Sequence, residues 1–244
     1  MIGWRARIGV LVPAPNTTAE WEFNKVAPEG VSIHVARCFI PDVKDPTKKV
    51  NAILKMNEDV VKAAKEVACV KPAVIGWACT TASFVKGKGG DLELARKIED
   101  ATGVKAITAS TAVAAALAEI GARKIVMATP YNEEVAVLEK AFFEATVPGL
   151  EILRMKNKGI VPGLDKGYDY PSSAYRLGKE LDGPDADAIF LSCTNWRTIE
   201  IIHMLEQDTG KPVISSNLST IWACFKEIGL PPVSGYGSLL EEHL

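Results

Sequence analysis

Ala73-Val74-Ile75-Gly76-Trp77-Ala78 runs straight into Cys79-Thr80-Thr81-Ala82-Ser83, and far downstream Ala188-Ile189-Phe190-Leu191-Ser192 runs into Cys193-Thr194-Asn195. Each is a short apolar run with β-branched members that breaks into hydroxyl and amide residues before a helical pattern begins. That pattern reads as a buried parallel strand feeding a helix. Both thiols then fall at carboxyl ends of strands. Ligands of open α/β sheets collect at that edge, and the next helix offers free N–H groups and the positive end of its dipole. A thiol so placed is expected to ionise more easily than a free one, whose pKa is roughly 8.5. A single cysteine is more often a small buried hydrophobe, and Cys38, Cys69 and Cys224 are assigned to that class. Two cysteines in matching contexts point to chemistry instead.

Working outward, Ile8-Gly9-Val10-Leu11-Val12 reads as a strand stopped by Pro13 and Pro15, with a helix beginning near Thr17. Residues 31–37 form a second strand, residues 50–70 have helical spacing, a helix covers 91–102, a short strand 106–108, and an alanine-rich helix 111–120. The second half repeats this order. Arg7–Val12 with Pro15-Asn16 matches Lys124–Thr129 with Tyr131-Asn132, and Thr102–Ser110 matches Thr209–Asn217. Asn16 and Asn132 are 116 positions apart, Cys79 and Cys193 are 114 apart, and Ile120 and Ile228 are 108 apart. Such drift is what loop-length changes produce in a duplicated domain-sized unit. The fold class is therefore α/β: two units related by a pseudo-twofold axis, the first over 1–118 and the second over 119–217, with 218–244 able to pack back on the first. That symmetry would bring Cys79 and Cys193 to opposite walls of one cleft.

Composition sets outer bounds. The chain has 244 residues, 48% hydrophobic and 24% charged, enough for one large or two modest cores. A net charge of -2 with scattered Lys and Arg argues against nucleic-acid binding. The N-terminal stretch from Met1 to Val12 has two arginines but too short an apolar run for a secretory leader, and no run approaches the ~20 residues of a membrane span. Five cysteines without disulfide-framework or zinc-type spacing suit a reducing compartment. A cytoplasmic protein with free thiols is expected, with no membrane or nucleic-acid partner.

Two thiols across a cleft can remove a proton from one face and deliver one to the other, or one can attack while the other protonates. Both schemes need one sulfur ionised and one protonated, the mixed state that mutual repulsion favours. No phosphate-binding glycine loop, dinucleotide fingerprint or metal-spaced cluster is present, so neither cofactor nor metal is expected. His203 is assigned to the surface. Lys86-Gly87-Lys88-Gly89-Gly90 is assigned to a solvated loop, compatible with a lid.

Val12-Pro13-Ala14-Pro15-Asn16-Thr17-Thr18-Ala19-Glu20, Ala78-Cys79-Thr80-Thr81, Ser192-Cys193-Thr194-Asn195 and Pro212–Asn217 resemble the maleate cis-trans isomerase and arylmalonate decarboxylase group of the aspartate/glutamate racemase superfamily. The resemblance runs from about residue 7 to residue 230. It implies two Rossmann-like domains around a central cleft, no cofactor, small carboxylate substrates and a possible homo-oligomer. The decarboxylases of the group carry glycine at the first cysteine position, so Cys79 favours isomerase or racemase chemistry. By the resemblance, Cys79 is the nucleophile that adds to a maleate double bond and Cys193 is the acid and base on the neighbouring carbon. Asn16 and Tyr131 hold carboxylate oxygens, and Thr80, Thr81, Thr194 and Asn195 supply further donors. The isomerases commonly carry an asparagine between the second-half tyrosine and cysteine, yet residues 159–164 here read Gly-Ile-Val-Pro-Gly-Leu. Either the second carboxylate has another partner or the substrate is less polar at that end. A decarboxylase or a two-cysteine racemase on the same scaffold is the nearest rival, and a non-catalytic two-lobed binding module is the rival from another class.

Overall fold

The computed structural model describes residues 2–41 and 43–244. Strands β1 (Ala6–Pro13), β2 (Val31–Cys38), β3 (Val74–Trp77) and β4 (Ala106–Thr108) form one parallel sheet in the order β2-β1-β3-β4. A second parallel sheet, of β5 (Lys124–Thr129), β6 (Glu151–Asn157), β7 (Ala188–Leu191) and β8 (Val213–Ser215), has the matching order β6-β5-β7-β8. Among the described residues the helices are α1 (Ala19–Val26), α2 (Lys49–Glu58), α3 (Val60–Ala68), α4 (Thr80–Phe84), α5 (Gly90–Thr102), α6 (Ala109–Glu119), α7 (Glu133–Thr146), α8 (Gly163–Gly167), α9 (Pro171–Leu181), α10 (Ile202–Thr209), α11 (Ser216–Glu227) and α12 (Ser238–Glu242). None of these is long and apolar enough to cross a membrane.

The β1 run Ile8–Val12 is unbroken because β1 lies inside its sheet with both faces covered, and Ile8, Val10, Leu11 and Val12 are all fully buried. The duplicated stretches make duplicated structure. Thr108 and Ser215 end β4 and β8, and each hydroxyl caps the next helix, accepting the N–H of Thr111 and of Leu218 at 3.2 Å. Gly103 and Gly210 close α5 and α10 in the left-handed conformation, φ 69° and 66°, which glycine adopts without a Cβ clash. In the turn before each cap, Glu99 accepts the Ala106 N–H at 3.1 Å and Glu206 accepts the Val213 N–H at 3.0 Å. Equivalent residues thus satisfy equivalent backbone donors.

Between the sheets, α6 packs along α11, and α11 also reaches β3, β4 and β8. Ala112, Ala116 and Val113 keep the α6 face flat. The α11 face buries Leu218, Ile221, Trp222 and Phe225, each contributing about 1.5–3 kcal/mol. α11 lies so close to β3 that a Cβ on Gly76 would meet Cys224 Sγ at 3.3 Å and Thr220 Cγ2 at 3.4 Å.

Several expectations need correction. The helical stretch 50–70 is two helices that meet at Asp59. β6 and α9 were not anticipated: the β6 sequence Glu-Ile-Leu-Arg-Met-Lys-Asn has no apolar run, because β6 is an edge strand and only Ile152 is buried. Cys69 is exposed at the end of α3, whereas Cys38 and Cys224 are buried as expected. No helix follows Cys193 directly. Turns occupy 194–201 before α10 begins.

Candidate active site

Cys79 and Cys193 leave equivalent strands, β3 and β7, and line a single cavity. Cys79 has an extended backbone (φ -150°, ψ 98°) and stands at the head of α4, where its sulfur meets the N–H of Ala82. Cys193 is held at φ 144°, a region L-residues rarely adopt and one that costs on the order of 1–3 kcal/mol. The surrounding bonds hold it there: the Cys193 N–H donates to Ser216 Oγ at 3.0 Å, and its sulfur accepts the Asn195 N–H at 3.3 Å. The carbonyl after each cysteine is gripped by the repeated strand-end motif. Ser110 Oγ donates to Thr80 O at 3.1 Å, and Asn217 Nδ2 to Thr194 O at 3.0 Å.

A fully buried carboxylate fastens the Cys193 turn to α1. Glu22 accepts the N–H groups of Thr198 (2.8 Å) and Ile199 (3.0 Å) on one oxygen and Asn217 Nδ2 (2.7 Å) on the other. Asn195 makes a second tie. Its oxygen accepts the Thr17 N–H at 2.9 Å, and its amide nitrogen donates to Gly163 O at 2.8 Å and Pro15 O at 3.3 Å. Those bonds use both amide hydrogens, so the Asn195 side chain acts as a clamp while its backbone N–H serves the sulfur of Cys193.

The cavity encloses about 600 Å³ of empty space, its mouth included. Asn16, Thr81, Tyr131, Thr194 and Asn195 line it together with both cysteines. Asn16 plays two parts: its oxygen caps the start of α1 through the N–H groups of Thr18 (3.0 Å) and Ala19 (2.9 Å), and its amide reaches Thr194 Oγ1 at 3.3 Å. The Tyr131 hydroxyl lies in hydrogen-bond range of Thr81 and of Cys193, and its ring packs edge-on against Phe84. Thr80 is not among the lining residues, and its hydroxyl is buried without a partner.

Sequence reasoning missed other lining residues. Asn132 was legible as the duplicate of Asn16. Lys49 from α2 and Lys166 from α8 carried no signal, since a lysine in a polar stretch reads as solvated. Ile40, Ile53, Met56, Val135 and Val161 give the rest of the cavity an apolar wall. The Lys86–Gly90 loop and His203 do not line it. Lys86 pairs with Glu93, and His203 faces Gln207. Among the described residues, no cluster of three or more His, Cys, Asp or Glu could hold a metal ion.

Electrostatics corrects the expectation of easily ionised thiols. Burial pushes Cys79 up to about 12, against which the Ala82 N–H and the Lys49 charge pull only weakly. Cys193 is also raised by burial, and is pulled back by Lys166, Tyr131 and the Asn195 N–H. Desolvation of a buried anion outweighs a helix end and a few donors. The same burial holds Lys166 down at about 8 and Tyr131 well above its usual value. It also raises two carboxyls behind the Cys193 turn, Glu22 to about 7 and Glu139, which accepts a hydrogen bond from Ser192, to about 8.

Comparison with known proteins agrees with this fold. The family model described as arylmalonate decarboxylase matches residues 48–240. The arylmalonate decarboxylase of Bordetella bronchiseptica is 30% identical over 192 residues, covering 76% of this chain and 78% of that protein. The crystal structure of a maleate isomerase variant from Pseudomonas putida S16 with maleate superposes with a TM-score of 0.89 at 26% identity, covering 96% of this chain and 97% of that one. A serine-for-cysteine variant of Nocardia farcinica maleate cis-trans isomerase, carrying a covalently bound succinylcysteine intermediate, has the same fold, with a TM-score of 0.89 at 22% identity over 97% of this chain and 98% of that one. With paired four-stranded parallel sheets and a matching family model over most of its length, the chain belongs to the arylmalonate decarboxylase family of enzymes, within the aspartate/glutamate racemase superfamily.

Proposed function

We propose that the protein isomerises a small cis-unsaturated dicarboxylate, maleate in the simplest case, to its trans form through a covalent bond to Cys79. The observation that carries this reading is the arrival of two thiols, from equivalent strand ends, in one cavity rich in hydrogen-bond donors. Cys79, as thiolate, adds to one olefinic carbon while Cys193 gives its proton to the other. A C–S and a C–H bond form, the π bond is lost, and the negative charge passes from Cys79 to Cys193. The new single bond rotates freely. The Cys193 thiolate then takes the proton back, the C–S bond breaks, and the trans acid leaves with Cys79 again ionised. Asn16, Thr81, Tyr131 and Thr194 line the cavity, and on this reading they steady the carboxylate that gains enolate character during attack. The pair must start with one proton missing. The Lys49 and Lys166 charges, which favour ionisation of Cys79 and Cys193 respectively, supply the counter-field.

The 30% identity to a decarboxylase keeps proton delivery by Cys193 after CO2 loss as the second reading. Proton NMR in heavy water separates the two. Maleate should lose its vinyl signal as that of fumarate grows, while an α-substituted malonate stays intact. An enzyme inert to maleate that releases CO2 from the malonate, or that only exchanges the α-proton of aspartate, would end the isomerase reading.

A further inference from the structure

The segment between β6 and α9 carries no amide, yet it delivers an ammonium group to the cavity. Lys166 is 5% exposed and lines the same space as Cys79 and Cys193. Its Nζ donates to Val161 O at 2.9 Å and Pro162 O at 3.0 Å, which leaves one of its three N–H bonds uncommitted. Among the described residues no carboxylate pairs with it. Its charge also lies 6.0 Å from the centre of the Tyr131 ring. A buried ammonium without a counter-ion is costly, on the order of several kcal/mol, and a ligand carboxylate in the cavity would remove that cost. Lys49 of α2 is the other cation that lines the cavity, and Ile40, Ile53 and Met56 add apolar wall.

We propose that Lys166 binds the distal carboxylate of the substrate, making the cavity selective for a dianion over the matching monoanion. The naming of that carboxylate rests on the isomerase reading; the charge preference does not. The groups that act on the Lys166 charge are Lys49, which opposes it, and Asp165, Cys193 and Cys79, which support it when ionised, with the Tyr131 ring beside it. Burial outweighs the supporting charges and brings the ammonium down to about 8. The selectivity should therefore hold at neutral pH and fade as pH rises through that value.

The probes are succinate, a saturated dianion that cannot react, and succinamate, a monoanion of the same size, titrated calorimetrically into the whole protein. At neutral pH the wild type should prefer succinate by at least about tenfold, the usual worth of one charge-assisted hydrogen bond. The preference should fall below about threefold in Lys166→Met and in the wild type near pH 9.5, and Lys166→Arg should restore part of it. If Lys166→Met fails to fold, Lys166→Gln, which keeps a donor for the Val161 and Pro162 carbonyls, takes its place. A wild type without preference, a wild type that binds neither probe, or a Lys166→Met protein that keeps the full preference would overturn the proposal. A Lys166-dependent preference in a protein that leaves maleate unchanged would sink the isomerase reading alone. Maleate turnover whose KM is unmoved by Lys166→Met would sink the Lys166 assignment alone.

Discussion

Glu22→Ala tests whether a buried carboxyl far from the cysteines in sequence holds the Cys193 turn in place. The substitution orphans the N–H groups of Thr198 and Ile199 and takes one acceptor from Asn217, all in buried surroundings. Each stranded donor costs about 1–3 kcal/mol, so a loss of about 4 kcal/mol is expected where the wild-type carboxyl is protonated. The pH dependence runs opposite to that of an ordinary surface acid. Burial raises Glu22 from 4.5 to about 7 in the folded protein, so the folded state binds the proton more tightly than the unfolded one. Glu22 is therefore most favourable at acid pH, and its contribution falls as pH rises from the unfolded value through about 7. Linkage at about 1.4 kcal/mol per pH unit makes the difference between pH 5 and pH 8 about 2.5 kcal/mol. Urea unfolding of wild type and Glu22→Ala at both pH values cancels every other titrating group. The variant should lose about 4 kcal/mol near pH 5 and about 1.5 kcal/mol near pH 8. Its activity should fall as well, because Asn217 also holds the Thr194 carbonyl beside Cys193. An equal loss at both pH values, or a larger one at pH 8, would refute the claim that desolvation governs this group.

Glu139→Gln should do the reverse of a core truncation. The amide can still accept from Ser192, and the cost of ionising a carboxyl raised to about 8 disappears. The variant should match wild type near pH 4 and exceed it by about 4 kcal/mol near pH 8, as read from chemical unfolding across that range; a gain that is constant with pH would contradict the assignment. Alkylation by iodoacetamide, followed by peptide mass mapping at neutral pH, should mark exposed Cys69 first. Cys79 and Cys193 should react slowly, at rates that climb with pH, because burial holds both as thiols. Fast labelling of Cys79 at neutral pH would contradict burial's hold on it, which leaves the reactive thiolate only a minor fraction of the free protein.

Much of the architecture could be read in one dimension because it rests on local patterns. An apolar run ending in Cys-Thr reads as a strand end wherever it occurs, and its recurrence with Thr-Gly and Ile-Ser or Ile-Thr motifs exposed the duplication. The strand orders β2-β1-β3-β4 and β6-β5-β7-β8, read from the structure, match each other as a duplication requires. β6 escaped because an edge strand need not be apolar, and the turn after Cys193 escaped because its geometry is held by Ser216, Asn217 and Glu22 rather than by its own residues.

The amino-acid order alone determined that two sulfur atoms would stand at equivalent strand ends, since strand periodicity and its breakers are properties of neighbours in the chain. Tertiary structure alone decided how those atoms are charged and what faces them. Burial depends on which segments pack together, and it turned expected thiolates into thiols, two carboxylates into weak acids, and the lysine of the short helix α8 into an ammonium that gives up its proton more readily.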